Sequence, residues 1–267
     1  MNVELLPLSG AFGVRLEGVD LHDEQPAEVR RAARTAWLEH ALVLVRGQDL
    51  DVDDHKRFVE WFGPISTAGY AAASDRAEKY ISNTRAEGVA REGSLLKHQD
   101  FCFYDSLLPG LSLYAEEVPT SGGATIFAST QLAYERLPDD LKQRISGLHA
   151  RHVYDYGNDH GTQRFRIAAA PQAPTATHPM VLNHPATDRP LLFVNELMTD
   201  SVVELTDHES EDLLHELWSY LDDPAVHYEH QWEVGDLIVW DNLALQHGRR
   251  DFLAGERRSL RRFQIGA

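Results

Sequence analysis

Cysteine is almost missing from this 267-residue chain. Cys102 is the only one, which excludes an internal disulfide and any cysteine-built metal cage. Basic residues are outnumbered 25 to 42 by acidic ones, for a formal charge of −17. So acidic a chain repels phosphate surfaces, and neither nucleic acid nor an anionic membrane is expected as a partner. A locally basic pocket for a small anion remains compatible with it. Long apolar runs are lacking too: residues 41–45 form the most notable one, far short of the roughly 20 residues of a membrane span. The first ten residues are too poor in basic and apolar side chains for a signal peptide, so a cytoplasmic protein is expected. Also missing are G-x-G-x-x-G, G-x-x-x-x-G-K-[ST] and G-x-S-x-G, which counts against nucleotide kinases, Rossmann dehydrogenases and ordinary serine hydrolases.

What is present reads as many short strands with helices gathered early and in insertions. Helices are expected over residues 26–40, 51–62 (capped by Asp51), 129–146 (capped by Ser129, broken near Pro138) and 207–222. Strands are expected over 41–45, 79–82, 98–103, 111–118, 124–127, 147–154, 180–183, 191–194, 226–233, 236–240 and 257–265. Residues 155–177 read as a long polar loop, a candidate lid, with Arg164 and Arg166 at its surface. This pattern predicts a mainly β chain with peripheral helices, an α+β barrel or sandwich. The length allows one large domain or two small ones.

Histidine is the enriched residue, at 14. His98-Gln99-Asp100 puts an imidazole and a carboxylate two apart, on the same face if the segment is a strand. With one more histidine, such a pair can form a 2-His-1-carboxylate site with open metal positions. Chance alone supplies about two H-x-[DE] pairs at this composition, so the motif by itself proves nothing. A further pair, His227-Tyr228-Glu229, reads as surface. Strand alternation also groups Cys102 with His98 and Asp100, where it reads as small apolar packing, and Arg258 with Arg262. The alternate Arg257 and Arg261 read as solvated.

The run Gly235-Asp236-Leu237-Ile238-Val239-Trp240-Asp241-Asn242 leads into Leu245-Gln246-His247 and then Arg257-Arg258-Ser259-Leu260-Arg261-Arg262. With the H-x-D segment and Pro119-Thr120-Ser121-Gly122-Gly123-Ala124-Thr125, this block resembles the taurine/2,4-D dioxygenase family. The resemblance covers most of the chain, residues 16–265. It implies a single catalytic domain over residues 1–267 on a double-stranded β-helix (jelly-roll) core. It also implies Fe(II), 2-oxoglutarate as cosubstrate and O2. By similarity His98, Asp100 and His247 would bind the metal. Arg258, eleven residues after His247, and Thr125 would hold the oxoglutarate carboxylate. Arg262 would grip a substrate anion, and Tyr70, Phe193 and Trp240 would be pocket aromatics.

The implied reaction oxidises an unactivated C–H bond of a small anionic substrate, releasing succinate and CO2. The related halogenases lack the carboxylate ligand, so Asp100 favours hydroxylation over halogenation. Residues 84–97 and the aromatic run Phe101-Cys102-Phe103-Tyr104 depart from the taurine enzyme, so taurine is not carried over as substrate. A jelly-roll metal isomerase or hydrolase without oxoglutarate is the alternative, and a non-catalytic binding module a third. Oligomeric state is left open, a homo-oligomer included.

Overall fold

The computed structural model describes residues 3–8, 10–67, 77–90, 92–154 and 172–266. Tyr70, Arg164, Arg166 and most of the expected 155–177 loop lie outside them. In chain order the elements are β1 Glu4–Pro7, β2 Val14–Glu17, α1 Ala27–His40, β3 Leu42–Val45, α2 Val52–Val59, β4 Ile65–Ser66, β5 Lys79–Ser82, β6 Leu95–His98, β7 Gly110–Glu117 and β8 Thr125–Ser129. There follow α3 Thr130–Arg136, α4 Asp139–Ile145, β9 His149–Val153, β10 Thr175–Pro179, β11 Val181–Asn183, β12 Pro190–Leu192, β13 Thr199–Val202, α5 Asp207–Leu221, β14 His227–His230, β15 Leu237–Asp241, β16 Leu245–Arg249 and β17 Ser259–Ile265.

Two sheets face each other. The larger runs β1-β2-β3-β15-β7-β17-β4, with β5 also on β17; the smaller runs β14-β8-β16-β6. Strand alternation sorts the core. Leu42, Leu44, Ile238 and Trp240 point between the sheets, where they meet Phe127, Tyr228 and Leu245 of the smaller one. Val43, Val45, Leu237 and Val239 point the other way and are covered by Ala33, Ala36 and Trp37 of α1 and Phe58 and Phe62 near α2. Both faces of the central strands are therefore dry, which is why these strands read as continuous apolar runs. Each such side chain contributes about 1.5–3 kcal/mol by leaving water.

The helix signals act locally as expected. The Asp51 side chain accepts from Asp54 N at 2.8 Å and the Asp54 side chain returns the bond, a closed capping box. Ser129 caps α3, and Pro138 separates α3 from α4. A third core packs α3, α4 and α5 on β9, β12 and β13, with Leu213, Leu214, Leu217 and Leu221 fully covered. Strands β1, β2, β4, β10, β13 and β16 appear where none was expected. Β10 overturns the tail of the expected loop, its polar Thr175-Ala176-Thr177-His178 pairing with β9.

On β9, His152 is completely buried against Phe193 and His178, with Nδ1 at 3.2 Å from Thr199 Oγ1. Burial, and then His178, push its pKa down to about 3. Above pH 6.5 neither folded nor unfolded chain binds a proton there; between 6.5 and about 3 only the unfolded chain does, so stability is lost as the pH is lowered through this window. Unfolding free energy is expected to drop by on the order of 2 kcal/mol from this group between pH 7 and 5. Denaturant titrations of His152→Phe should show a correspondingly shallower pH slope; an unchanged slope would contradict it.

Candidate metal centre

β16 is the strand on which the site depends. It lies between β6 and β8, and its register sets His247 directly opposite His98 on one side and Phe127 on the other. The two imidazoles stand 4.4 Å apart between ring centres. Asp100 closes the group: Oδ1 is 3.3 Å from His98 Nε2, and Oδ2 is 3.9 Å from His247 Nε2. Ligand atoms of all three lie within 4.8 Å of one another, the one such group of histidines and acids among the described residues.

The H-x-D geometry differs from its strand reading. β6 ends at His98, and residues 99–104 turn, with Phe101 left-handed at φ 65°. A non-glycine residue there costs about a kcal/mol or more, so surrounding contacts have to hold it. Asn242 does so: its Oδ1 accepts from Asp100 N at 3.0 Å, and its Nδ2 donates to the carbonyls of Asp100 and Leu108, both at 2.9 Å. Alternation fails beyond the turn. Cys102 packs with Phe103, Leu191, Phe193 and Met198 in a separate apolar cluster instead of joining the ligands, and burial pushes its thiol up to about 12.

Electrostatics suit a cation bound by imidazole and an ionised carboxylate. His98 Nδ1 lies 2.9 Å from the Leu96 carbonyl, so Nδ1 carries a proton and the ring is held with Nε2 turned toward Asp100. Burial, then His98, lower His247 to about 3 against the opposing pull of Asp100, so it is neutral near pH 7. Burial disfavours charge on Asp100, but Arg262 and the two histidines outweigh it and hold the carboxyl far below its usual range. A set of two imidazole nitrogens and one carboxylate, with His98 buried and the other two half-buried, fits a divalent first-row metal.

The arginines sort differently from the strand-parity reading. Arg262 is buried beside the ligands and donates Nη2 to Asp100 Oδ2 at 2.6 Å. Arg257 is exposed on Glu117, as expected. Arg261 is buried, a correction: both faces of β17 are covered, and its guanidinium donates to the Leu50 carbonyl and His55 Nδ1 and stacks on Tyr114. Arg258 is 3% exposed, and its Nη1 has no hydrogen-bond partner among the described residues. Burial, and then Arg249, drive its guanidinium down to about 9, so at neutral pH it is a buried cation in want of an anion. The Gly122-Gly123 pair explains its setting. Both are left-handed, and a Cβ on Gly123 would come within 3.3 Å of Arg258 Nε and 2.9 Å of Pro119. Thr125 follows two residues on, buried, with Oγ1 2.9 Å from Trp232 Nε1. Arg249, opposite Thr125, fastens the loop before β6 through the carbonyls of Ala90, Glu92 and Gly93.

Of the aromatics, Trp240 lies 4.9 Å from the His247 ring, whereas Phe193 packs on His152 and His178. His227 binds the Leu221 carbonyl and Glu229 pairs with Arg250, away from the three ligands. Asn242, Trp232 and Arg249 had no assigned role; Asn242 alone carried a signal, as part of the Trp240-Asp241-Asn242 run.

The family model for taurine catabolism dioxygenase TauD, TfdA family matches residues 4–264. The chain belongs to that family. It is 31% identical to pentalenolactone F synthase of Streptomyces avermitilis, over 98% of this chain and 93% of that one. It is 30% identical to the alpha-ketoglutarate-dependent 2,4-dichlorophenoxyacetate dioxygenase of Cupriavidus pinatubonensis, over 98% and 97%. A taurine dioxygenase crystal structure from Burkholderia xenovorans superposes with a TM-score of 0.81 at 26% identity, covering 98% of this chain and 89% of that one. The jelly-roll fold and a 2-oxoglutarate-dependent dioxygenase activity follow, and the oxoglutarate-independent alternative and the binding module fall away.

Two outcomes are expected. Asn242→Ala should weaken divalent-metal binding by roughly 10–100-fold, as loss of an outer support does, and His247→Ala by more; equal affinity for Asn242→Ala and the unaltered protein would refute the clamp. Arg258→Met should raise the ligand-free melting temperature, by about 1–2 kcal/mol of stability, and erase stabilisation by 2-oxoglutarate. A lower melting temperature would show that Arg258 is already compensated.

Proposed function

We propose that the chain is an Fe(II)- and 2-oxoglutarate-dependent dioxygenase that hydroxylates a small organic anion, with His98, Asp100 and His247 as the metal ligands. Bound there, iron with 2-oxoglutarate supplies O2 activation and the oxidation of a C–H bond, with release of succinate and CO2. The protein's part is positioning and exclusion of side reactions. His98 and His247 offer imidazole nitrogens from paired strands, and Asp100 offers a carboxylate held in its turn by Asn242. Arg258 and Thr125 seat the far carboxylate of the cosubstrate. The observation that carries this reading is the buried, unpartnered Nη1 of Arg258. A cation so placed is stable only with an anion beside it, and isomerase or hydrolase chemistry at the same ligands has no use for one.

Arg262 would hold the anionic end of the prime substrate. Its guanidinium is already oriented by Asp100, so an acid gripped there would lie beside the metal. The named substrate of the Cupriavidus relative, 2,4-dichlorophenoxyacetate, and the sulfate ester named for a Pseudomonas putida relative at 26% identity are both anions, which supports this substrate class. The reading takes residues 1–267 as one catalytic domain in the cytoplasm; no helix among the described residues is long and apolar enough to cross a membrane.

Anaerobic addition of Fe(II) and then 2-oxoglutarate is expected to produce a weak visible charge-transfer band that needs both. Succinate release should then identify substrates among aryloxyalkanoates, sulfate esters and sulfonates. For the best acid, Arg262→Lys keeps the charge but loses the planar fork, and should raise KM at least about tenfold. An unchanged KM would remove Arg262 from substrate binding, and a missing band with iron bound would overturn the oxoglutarate seat.

A further inference from the structure

Thr125 has one hydroxyl and two demands on it. Its Oγ1 lies 2.9 Å from Trp232 Nε1, and an indole N–H only donates. The threonine oxygen therefore accepts that bond, and its single proton is left for another acceptor. No described residue takes that proton. Trp232 is itself held. His230, the residue paired with Thr125 across β14 and β8, meets the indole edge-on at 4.6 Å. His230 Nε2 binds Asp236 Oδ2 at 2.9 Å and its Nδ1 faces the Tyr228 hydroxyl at 3.0 Å, while Asp236 Oδ2 also accepts from Glu233 N. The chain of contacts runs from a buried carboxylate through two rings to one hydroxyl, and its last link, the indole N–H, can only donate.

We propose that Trp232 is a positioning residue for the cosubstrate: by donating to Thr125 it aims that hydroxyl's proton at the 2-oxoglutarate carboxylate seated on Arg258. The inference rests on the oxoglutarate seat proposed above. Without the indole N–H, the Thr125 hydroxyl is free to rotate and the carboxylate loses an oriented donor. Trp232 touches no reacting atom, so its effect should fall on oxoglutarate binding and not on the rate of the chemical step.

The test is a double-mutant cycle on the Mn(II)-loaded protein, with 2-oxoglutarate binding read by calorimetry. Thr125→Val should weaken binding about tenfold or more, the worth of a hydrogen bond to a charged group. Trp232→Phe should weaken it about three- to tenfold. The double variant should bind within about twofold of Thr125→Val alone, because the indole acts only through that hydroxyl. Penalties that multiply would show that Trp232 acts by packing and overturn the proposal, as would wild-type affinity in Trp232→Phe. If Trp232→Phe does not fold, β-(3-benzothienyl)alanine at position 232 keeps the ring and removes the N–H. It should show the same loss, and wild-type affinity would again overturn the proposal. In turnover, the Trp232 change should raise the oxoglutarate KM with kcat within about twofold; a fall in kcat at constant KM would contradict it. Undiminished binding in both Thr125→Val and Arg258→Met would instead displace the cosubstrate from this seat, and the parent reading would fall with it.

Discussion

The antiparallel register of β16 is the constraint on which the rest of the molecule depends. One residue of slip would turn every side chain on that strand to the opposite face. His247 would then leave His98, and its neighbours Leu245 and Arg249 would leave the core and the loop they hold. Register is protected on both sides, by β6 and β8, and by the apolar layer between the sheets where Leu245 packs with Phe127 and Trp240. Packing energy in the core is thus what sets the distance between two imidazoles.

Around that fixed pair the protein keeps charges that water does not relieve. Asp100 is ionised against burial with help from Arg262, and Arg258 stays cationic with its Nη1 unanswered. The two arginines face different needs. Arg262 already has a carboxylate inside the protein, whereas Arg258 waits for one from outside. A pre-organised cation that is costly without its ligand turns that cost into affinity when the ligand arrives.

Much of this was legible in the sequence, and the failures have physical causes. His98, Asp100, His247, Thr125 and Arg258 stand out because three separate motifs occur in the right order. The cap at Asp51, the cap at Ser129 and the break at Pro138 work through neighbouring residues and are read locally. Local alternation, by contrast, misplaced Cys102, because the left-handed Phe101 interrupts the strand, and the distant Asn242 sustains that turn. Arg261 reads as solvated on parity alone, yet β17 is covered on both faces, a property of the sheet and not of the strand. β16 has no apolar alternation of its own, since Gln246, His247 and Arg249 are stabilised by partners far away in the chain. Trp232 carried no signal, because its meaning lies in a single bond to a residue 107 positions earlier.

The most direct test of the account is a crystal structure with Mn(II) and N-oxalylglycine, an inert oxoglutarate analogue, bound. The metal should lie on His98 Nε2, His247 Nε2 and Asp100, with the analogue's far carboxylate against Arg258 Nη1 and the Thr125 hydroxyl. Metal on other residues, or an analogue whose far carboxylate leaves Arg258 unanswered, would contradict it.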